Sequence, residues 1–157
     1  MEKKKYWKNV VRGPFYLGGE PGTGGLSISA HNNEYGNGTT LGYHCINDYY
    51  EAPITHSHDF HELICFIGGN PENIDDLGAE ISICLGDELE EHIIKSATVI
   101  SIPPGLKHCP LKVIKYTKPF IFLEISTTKG YSQSTDAPVQ KEEKLVKKSK
   151  KSKSGST

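Results

Sequence analysis

Short apolar runs in which hydrophobic and polar residues alternate, broken every few positions by glycine, proline or asparagine, recur along most of this chain. The segments 26–30, 39–46, 62–67, 80–85, 92–94, 98–102, 111–115 and 120–126 carry this pattern. Successive side chains of an extended strand point to opposite faces, so a period of two marks segments buried on one side. No stretch repeats with the 3.6-residue period of an amphipathic helix. Many short strands separated by turn residues predict an all-β domain, a sandwich or a barrel.

The ends differ from this body. Residues 1–25 read as a polar arm carrying Tyr6 and Trp7, followed by the glycine-rich loop Gly18-Gly19-Glu20-Pro21-Gly22-Thr23-Gly24-Gly25. That loop has neither a GxxxxGK[ST] pattern nor a GxGxxG leading into a helix, so it reads as a surface turn and not a phosphate cradle. Residues 131–157 are rich in Ser, Lys and Gln and hold the basic run Lys147-Lys148-Ser149-Lys150-Lys151-Ser152-Lys153. Such a composition buries too little apolar surface to offset ordering entropy, which predicts a disordered tail. There is no internal repeat, and one domain is expected over 26–130.

Of the 157 residues, 36% are hydrophobic, and part of the deficit lies in the tail. The net charge of −1 gives no field that would favour nucleic acid or an anionic membrane, and neither is expected as a partner. Cys45, Cys65, Cys84 and Cys109 are scattered with no CxxC pair. The start Met1-Glu2-Lys3-Lys4-Lys5 leads into no apolar signal segment, and no apolar run approaches a membrane span. The expectation is a cytoplasmic, reduced protein whose cysteines belong to its core.

Chemistry concentrates in His56-Ser57-His58-Asp59-Phe60-His61-Glu62. On an unbroken strand His56, His58 and Glu62 share one face, and His61 points away. Much later, Pro103-Pro104-Gly105-Leu106-Lys107-His108 makes a tight turn that delivers another histidine at the start of a strand. If the two segments are neighbours, three imidazoles and a carboxylate meet. This is not the thiolate-rich set of structural zinc. A five- or six-coordinate ion would keep positions for water or substrate, which favours Fe, Mn, Ni or Co. Zn fits if Glu62 binds only weakly.

These residues resemble the cupin superfamily, in particular its small single-domain, conserved-barrel members. The first cupin motif, HxHxxxE followed by six residues and Gly, is matched by His56, His58, Glu62 and Gly69. The second, PxGxxH, is matched by Pro103, Gly105 and His108. Tyr50, Ala97 and Lys112 stand where the motifs usually have Gly, Gly and Asn. The likeness covers roughly residues 26–126 and implies a double-stranded β-helix, a jelly-roll barrel with one divalent transition metal in its mouth. It also implies a homodimer.

Around the ion, His44 and Tyr43 are candidate catalytic groups, His44 as a proton shuttle. Phe60, Ile64, Phe66, Tyr50 and Phe122 are candidate substrate-binding walls. Cys109 should pack away from the pocket because it follows His108 directly. His92, beside Glu90 and Glu91, reads as a solvated face, and His31 as a turn residue. Two classes of function follow. One is a metal-dependent enzyme on a small organic substrate, of dioxygenase, decarboxylase, isomerase or lyase type. The other is a non-catalytic module that binds a metal or small ligand.

Overall fold

Alternation of apolar and polar residues translates into twelve strands in a computed structural model that describes residues 4–13, 15–17 and 23–135. In chain order they are β1 (Phe15–Leu17), β2 (Thr23–Ala30), β3 (Thr40–Ile46), β4 (Glu51–Ala52), β5 (His56–Ser57), β6 (Glu62–Gly68), β7 (Ala79–Leu85), β8 (Glu90–Ile94), β9 (Thr98–Ile102), β10 (His108–Tyr116), β11 (Phe120–Ser126) and β12 (Ser134–Thr135). One turn of 3-10 helix, Trp7–Asn9, is the only helix among the described residues. Residues 18–22 of the glycine-rich loop and 136–157 of the tail lie outside the described residues.

All pairings are antiparallel. One sheet runs β1-β2-β3-β11-β6-β9, and the other runs β12-β5-β10-β7-β8 with β4 also paired to β10. The all-β expectation holds, but the expected closed barrel does not. Each sheet is open, ending at β1 and β9 or at β12 and β8, so the arrangement is jelly-roll-like and unclosed. The corners explain this. Residues 58–61 and 103–107, where the chain passes between sheets, are bends and turns rather than strand. Pro103 and Pro104 also lack the N–H groups a continuing ladder would need.

The core fills the space between the sheets. Ile46, Ile64, Phe66, Phe120 and Phe122 from the first sheet face Ile81, Ile83, Leu111 and Val113 from the second. Facing sheets in such a sandwich stand roughly 10 Å apart, the depth of two interdigitated side-chain layers. Phe66 stacks on Phe122 at 5.5 Å between ring centroids and meets Phe120 edge-on at 6.4 Å. The four cysteines are free, and Cys65 and Cys109 are buried.

Phe66 is 1% exposed and Val99 is 64% exposed, which separates their energetics. Phe66→Ala should cost about 3–5 kcal/mol through lost transfer energy and the cavity left behind. Val99→Ala should stay within about 0.5 kcal/mol. Urea unfolding of the two variants measures the contrast.

Candidate metal centre

Two of the chain's changes of sheet meet at one end of the sandwich. It leaves the second sheet after β5, bends over 58–61, and enters the first at Glu62. It leaves the first after β9, turns over 103–107, and enters the second at His108. Glu62 pairs with Ile102, and His108 pairs with His56. The Gly105 N–H donates to the His58 carbonyl at 2.7 Å and joins the two turns. Gly105 has φ +83, a conformation that side-chain-bearing residues rarely adopt.

The expected single strand over 56–62 is therefore broken. His56 and Glu62 belong to different sheets, and the bend between them, not strand parity, brings them together. His61 is exposed, and its carbonyl accepts from the Thr127 N–H.

His56, His58 and His108 form a cluster able to coordinate a metal ion, with one ring nitrogen of each within 4.8 Å of the others. Each Nδ1 lies against a backbone carbonyl: His56 on Ile54 at 2.8 Å, His58 on Ser132 at 2.6 Å, His108 on Leu106 at 3.1 Å. A carbonyl only accepts, so Nδ1 carries the proton and Nε2 presents its lone pair to the centre. The Ser126 hydroxyl donates to Glu62 Oε1 at 3.1 Å. Glu62 Oε2 is buried with no hydrogen-bond partner, 3.4 Å from Nε2 of both His58 and His108. Those 3.4 Å contacts become hydrogen bonds only if Nε2 is protonated, which the carbonyl partners on Nδ1 disfavour in the neutral rings.

This is the test of fit for a metal. Buried Glu62 Oε2 has no donor, and the Tyr131 hydroxyl reaches only His58 Nε2 at 3.4 Å, an arrangement that costs free energy unless a cation sits among these groups. Two ligand atoms about 2.1 Å from one ion stand roughly 3.0–3.4 Å apart at tetrahedral or octahedral angles, so the 3.4 Å from Glu62 Oε2 to Nε2 of His58 and of His108 suits a transition metal. The donor set fits.

Titration follows the same crowding. Burial pushes His56 below its usual range, against the help of the Ile54 carbonyl. Burial also opposes charge on His58, but the Glu62 carboxylate outweighs it and moves this imidazole up. Glu62 would be raised by burial, yet the edges of His108 and His58 hold it down at about 2.

An aromatic column screens this end. Phe60 stacks on His58 at 4.7 Å, and Tyr131 packs on His58 at 5.0 Å and on Phe60 at 5.8 Å. His31 stacks on Tyr131 at 5.0 Å, and the Tyr131 hydroxyl lies 3.4 Å from His58 Nε2. Burial, and then Glu124 and Glu62, push the Tyr131 hydroxyl pKa far up. Tyr131 and Ser132 lie past the expected boundary at residue 130. They are held because β12 pairs with β5, Ser134 opposite Ser57 and Thr135 opposite His56. The only sequence signal was one tyrosine in an otherwise polar segment.

The remaining candidates divide. His44 faces inward and meets Glu124, Nε2 to Oε2 at 3.4 Å. Tyr43, its neighbour on β3, takes the opposite face and does not join it. Phe60 touches the cluster. Ile64, Phe66 and Phe122 belong to the core, and Tyr50 packs against it with its ring 6.1 Å from Phe122. Cys109 is a core residue whose thiol is pushed up to about 12, chiefly by burial. His92 is half-exposed beside Glu90.

No family model matches the sequence, and no curated protein matches it. Solved structures do. A recombinant oxalate oxidase in complex with glycolate aligns at TM-score 0.53 and 9% identity, over 81% of this chain and 61% of that one. The polyketide cyclase RemF from Streptomyces resistomycificus aligns at 0.51 and 15%, over 89% of each. A conserved protein with a double-stranded beta-helix domain from Klebsiella pneumoniae aligns at 0.50 and 14%, over 76% and 90%. The chain shares the fold of these solved structures. At these identities the likeness is one of fold, and this chain spans 61% of the length of the oxalate oxidase. No helix among the described residues is long and apolar enough to cross a membrane.

The pKa shifts give the metal-free protein a stability window. Glu62 is held below its ordinary 4.5, so its contribution is present above about 4.5 and lost as pH falls towards about 2. His58 is raised above its ordinary 6.5, so its contribution is present below that value and lost as pH rises through the folded pKa. Chelator-treated protein should lose urea resistance on acidification below pH 4.5, and Glu62→Gln should flatten that acid limb. A limb unchanged in Glu62→Gln would remove the carboxylate from this account.

Proposed function

We propose that this chain is a metal-dependent enzyme acting on a small organic molecule, with His56, His58, Glu62 and His108 holding one divalent transition metal. The observation that carries the reading is the orphaned Glu62 Oε2 among imidazole lone pairs. Three imidazoles and one carboxylate leave coordination positions free on Fe, Mn, Co or Ni, and on Zn if Glu62 binds weakly. The metal supplies Lewis-acid polarisation of a bound oxygen or activation of O2, as dioxygenase, decarboxylase, isomerase or lyase chemistry requires.

The chain's own groups do the rest. The carbonyls of Ile54, Ser132 and Leu106 fix the imidazole tautomers. Phe60 and Tyr131 keep water from the His58 edge. His44 is the candidate to take or return a proton. A homodimer is part of the proposal. It is supported by the outer face of the first sheet, where Leu63, Ile67 and Val99 stand exposed.

Purified protein should carry close to one transition metal per chain by elemental analysis, and His58→Ala or His108→Ala should lose it. Wild type that takes up no transition metal would sink the proposal. Bound metal without turnover of carboxylic acids or catechols, and without oxygen uptake, would shift the reading to a binding module. The Ser132 carbonyl adds a finer check. A chain ending at Gly130 should bind metal about 10–100-fold more weakly than one ending at Thr135, because His58 loses its orienting partner.

A further inference from the structure

Beside the metal cluster lies a polar pair that it does not use. Glu124 is the next inward position along β11 from Ser126, whose hydroxyl holds Glu62. One inward step on a strand is about 7 Å. His44 reaches Glu124 from β3, Nε2 to Oε2 at 3.4 Å, with its ring tilted on Phe122 at 5.6 Å. The inward residues around the pair, Thr40, Ile46, Phe122 and Ser126, are buried, whereas the pair itself keeps 21% and 23% of its side-chain surface open. A polar pair that stays open within a buried row faces a space that solvent or a ligand enters.

Two further observations connect that space with the metal site. Ser126, the inward neighbour of Glu124 on β11, reaches Glu62 of the cluster through its hydroxyl at 3.1 Å. Gly42 lies opposite Glu124, and a Cβ there would come within 2.6 Å of Glu124 Oε2 and 3.0 Å of His44 Nε2. A glycine at this position leaves the room the pair occupies. The strands that build this wall, β3, β6, β9 and β11, contain no lysine or arginine. Other lysines are partnered off this wall, Lys95 and Lys115 on Glu80, Lys118 on Asp76 and Lys107 on Asp87.

The geometry points to a substrate-recognition subsite, in which Glu124, positioned by His44 and Gly42, binds a hydrogen-bond donor at the end of the substrate remote from the metal. The donor is an ammonium or hydroxyl group, and a carboxylate at that end is rejected. This rests on the metal-centre reading above. A carboxylate accepts from a donor and gains charge attraction from an ammonium, whereas a second carboxylate meets like charge with no cation on the wall to compensate.

The test uses cobalt(II)-loaded protein and two catechols that ligate a metal alike, one with an aminoethyl and one with a carboxyethyl side chain. Calorimetry should show wild type favouring the amine by about tenfold or more, beyond the preference of free cobalt. Glu124→Gln should abolish the preference with cobalt content unchanged, and Gly42→Ala should weaken it by displacing the pair. Equal affinities, a preference for the acid, a preference that survives Glu124→Gln, or binding of neither probe would overturn the subsite. So would loss of cobalt from Glu124→Gln, which would assign Glu124 to the metal cluster. Wild type that fails to take cobalt at all would instead overturn the metal-centre reading, and the subsite with it.

Discussion

The hydrogen bond from the Gly105 N–H to the His58 carbonyl, at 2.7 Å, holds together two of the turns by which the chain crosses between sheets. Two open sheets sharing one core need such crossings, and residues outside a ladder are free of its register. The crossing residues are therefore where side chains from both layers can turn towards one point. His56 and His108 come from the second sheet, Glu62 begins the first, and His58 sits on the bend between. Without the bond between the turns, nothing in the strand pairing fixes His58 against the rest. Gly105 can make it because its φ of +83 aims the N–H back across the turn.

Once assembled, the cluster is electrostatically incomplete. The three carbonyls that accept from Nδ1 align the imidazoles but also spend their protons outward. The Ser126 hydroxyl satisfies one oxygen of Glu62 and leaves the other bare. Protonating Nε2 could relieve this, as the depressed Glu62 and raised His58 imply, but each imidazole would then carry charge in a buried place. A divalent cation relieves all four groups at once and lets the rings stay neutral. The supporting hydrogen bonds favour that solution because they are made by the neutral tautomer.

Local periodicity made most strands legible. The runs at 98–102 and 120–126 coincide with β9 and β11 because both ends coincide with turn residues. Long-range pairing was not legible, so closure into a barrel was inferred from the resemblance and is not what the sheets do. The motif spacing identified residues that do lie together, but through the wrong geometry. Treating 56–62 as one strand missed that Asp59 and Phe60 sit in a bend that changes sheets. Tyr131 and Ser132 were hidden in polar sequence because their order comes from pairing with β5, a contact no local pattern records. Glu124 was open to the same parity argument that separates Tyr43 from His44, since it falls in the inward series of β11.

That series carries a wider point. Along β11 the inward residues run Phe120, Phe122, Glu124, Ser126, while the outward ones are Ile121, Leu123 and Ile125. A strand built only for stability would place its apolar residues inward and its polar ones out. Here one strand builds core at its start and turns polar inside at its end, where the metal cluster begins. Inward Glu62 followed by Ile64 and Phe66 on β6 repeats the gradient in the antiparallel sense, so the polar ends of both strands coincide. Burial of the Glu62 carboxylate, with the half-buried Glu124 on the adjacent strand, opposes stability, and the phenylalanine-rich opposite end offsets it. The division of one interior into an apolar half and a polar half is written in the residue order of β6 and β11.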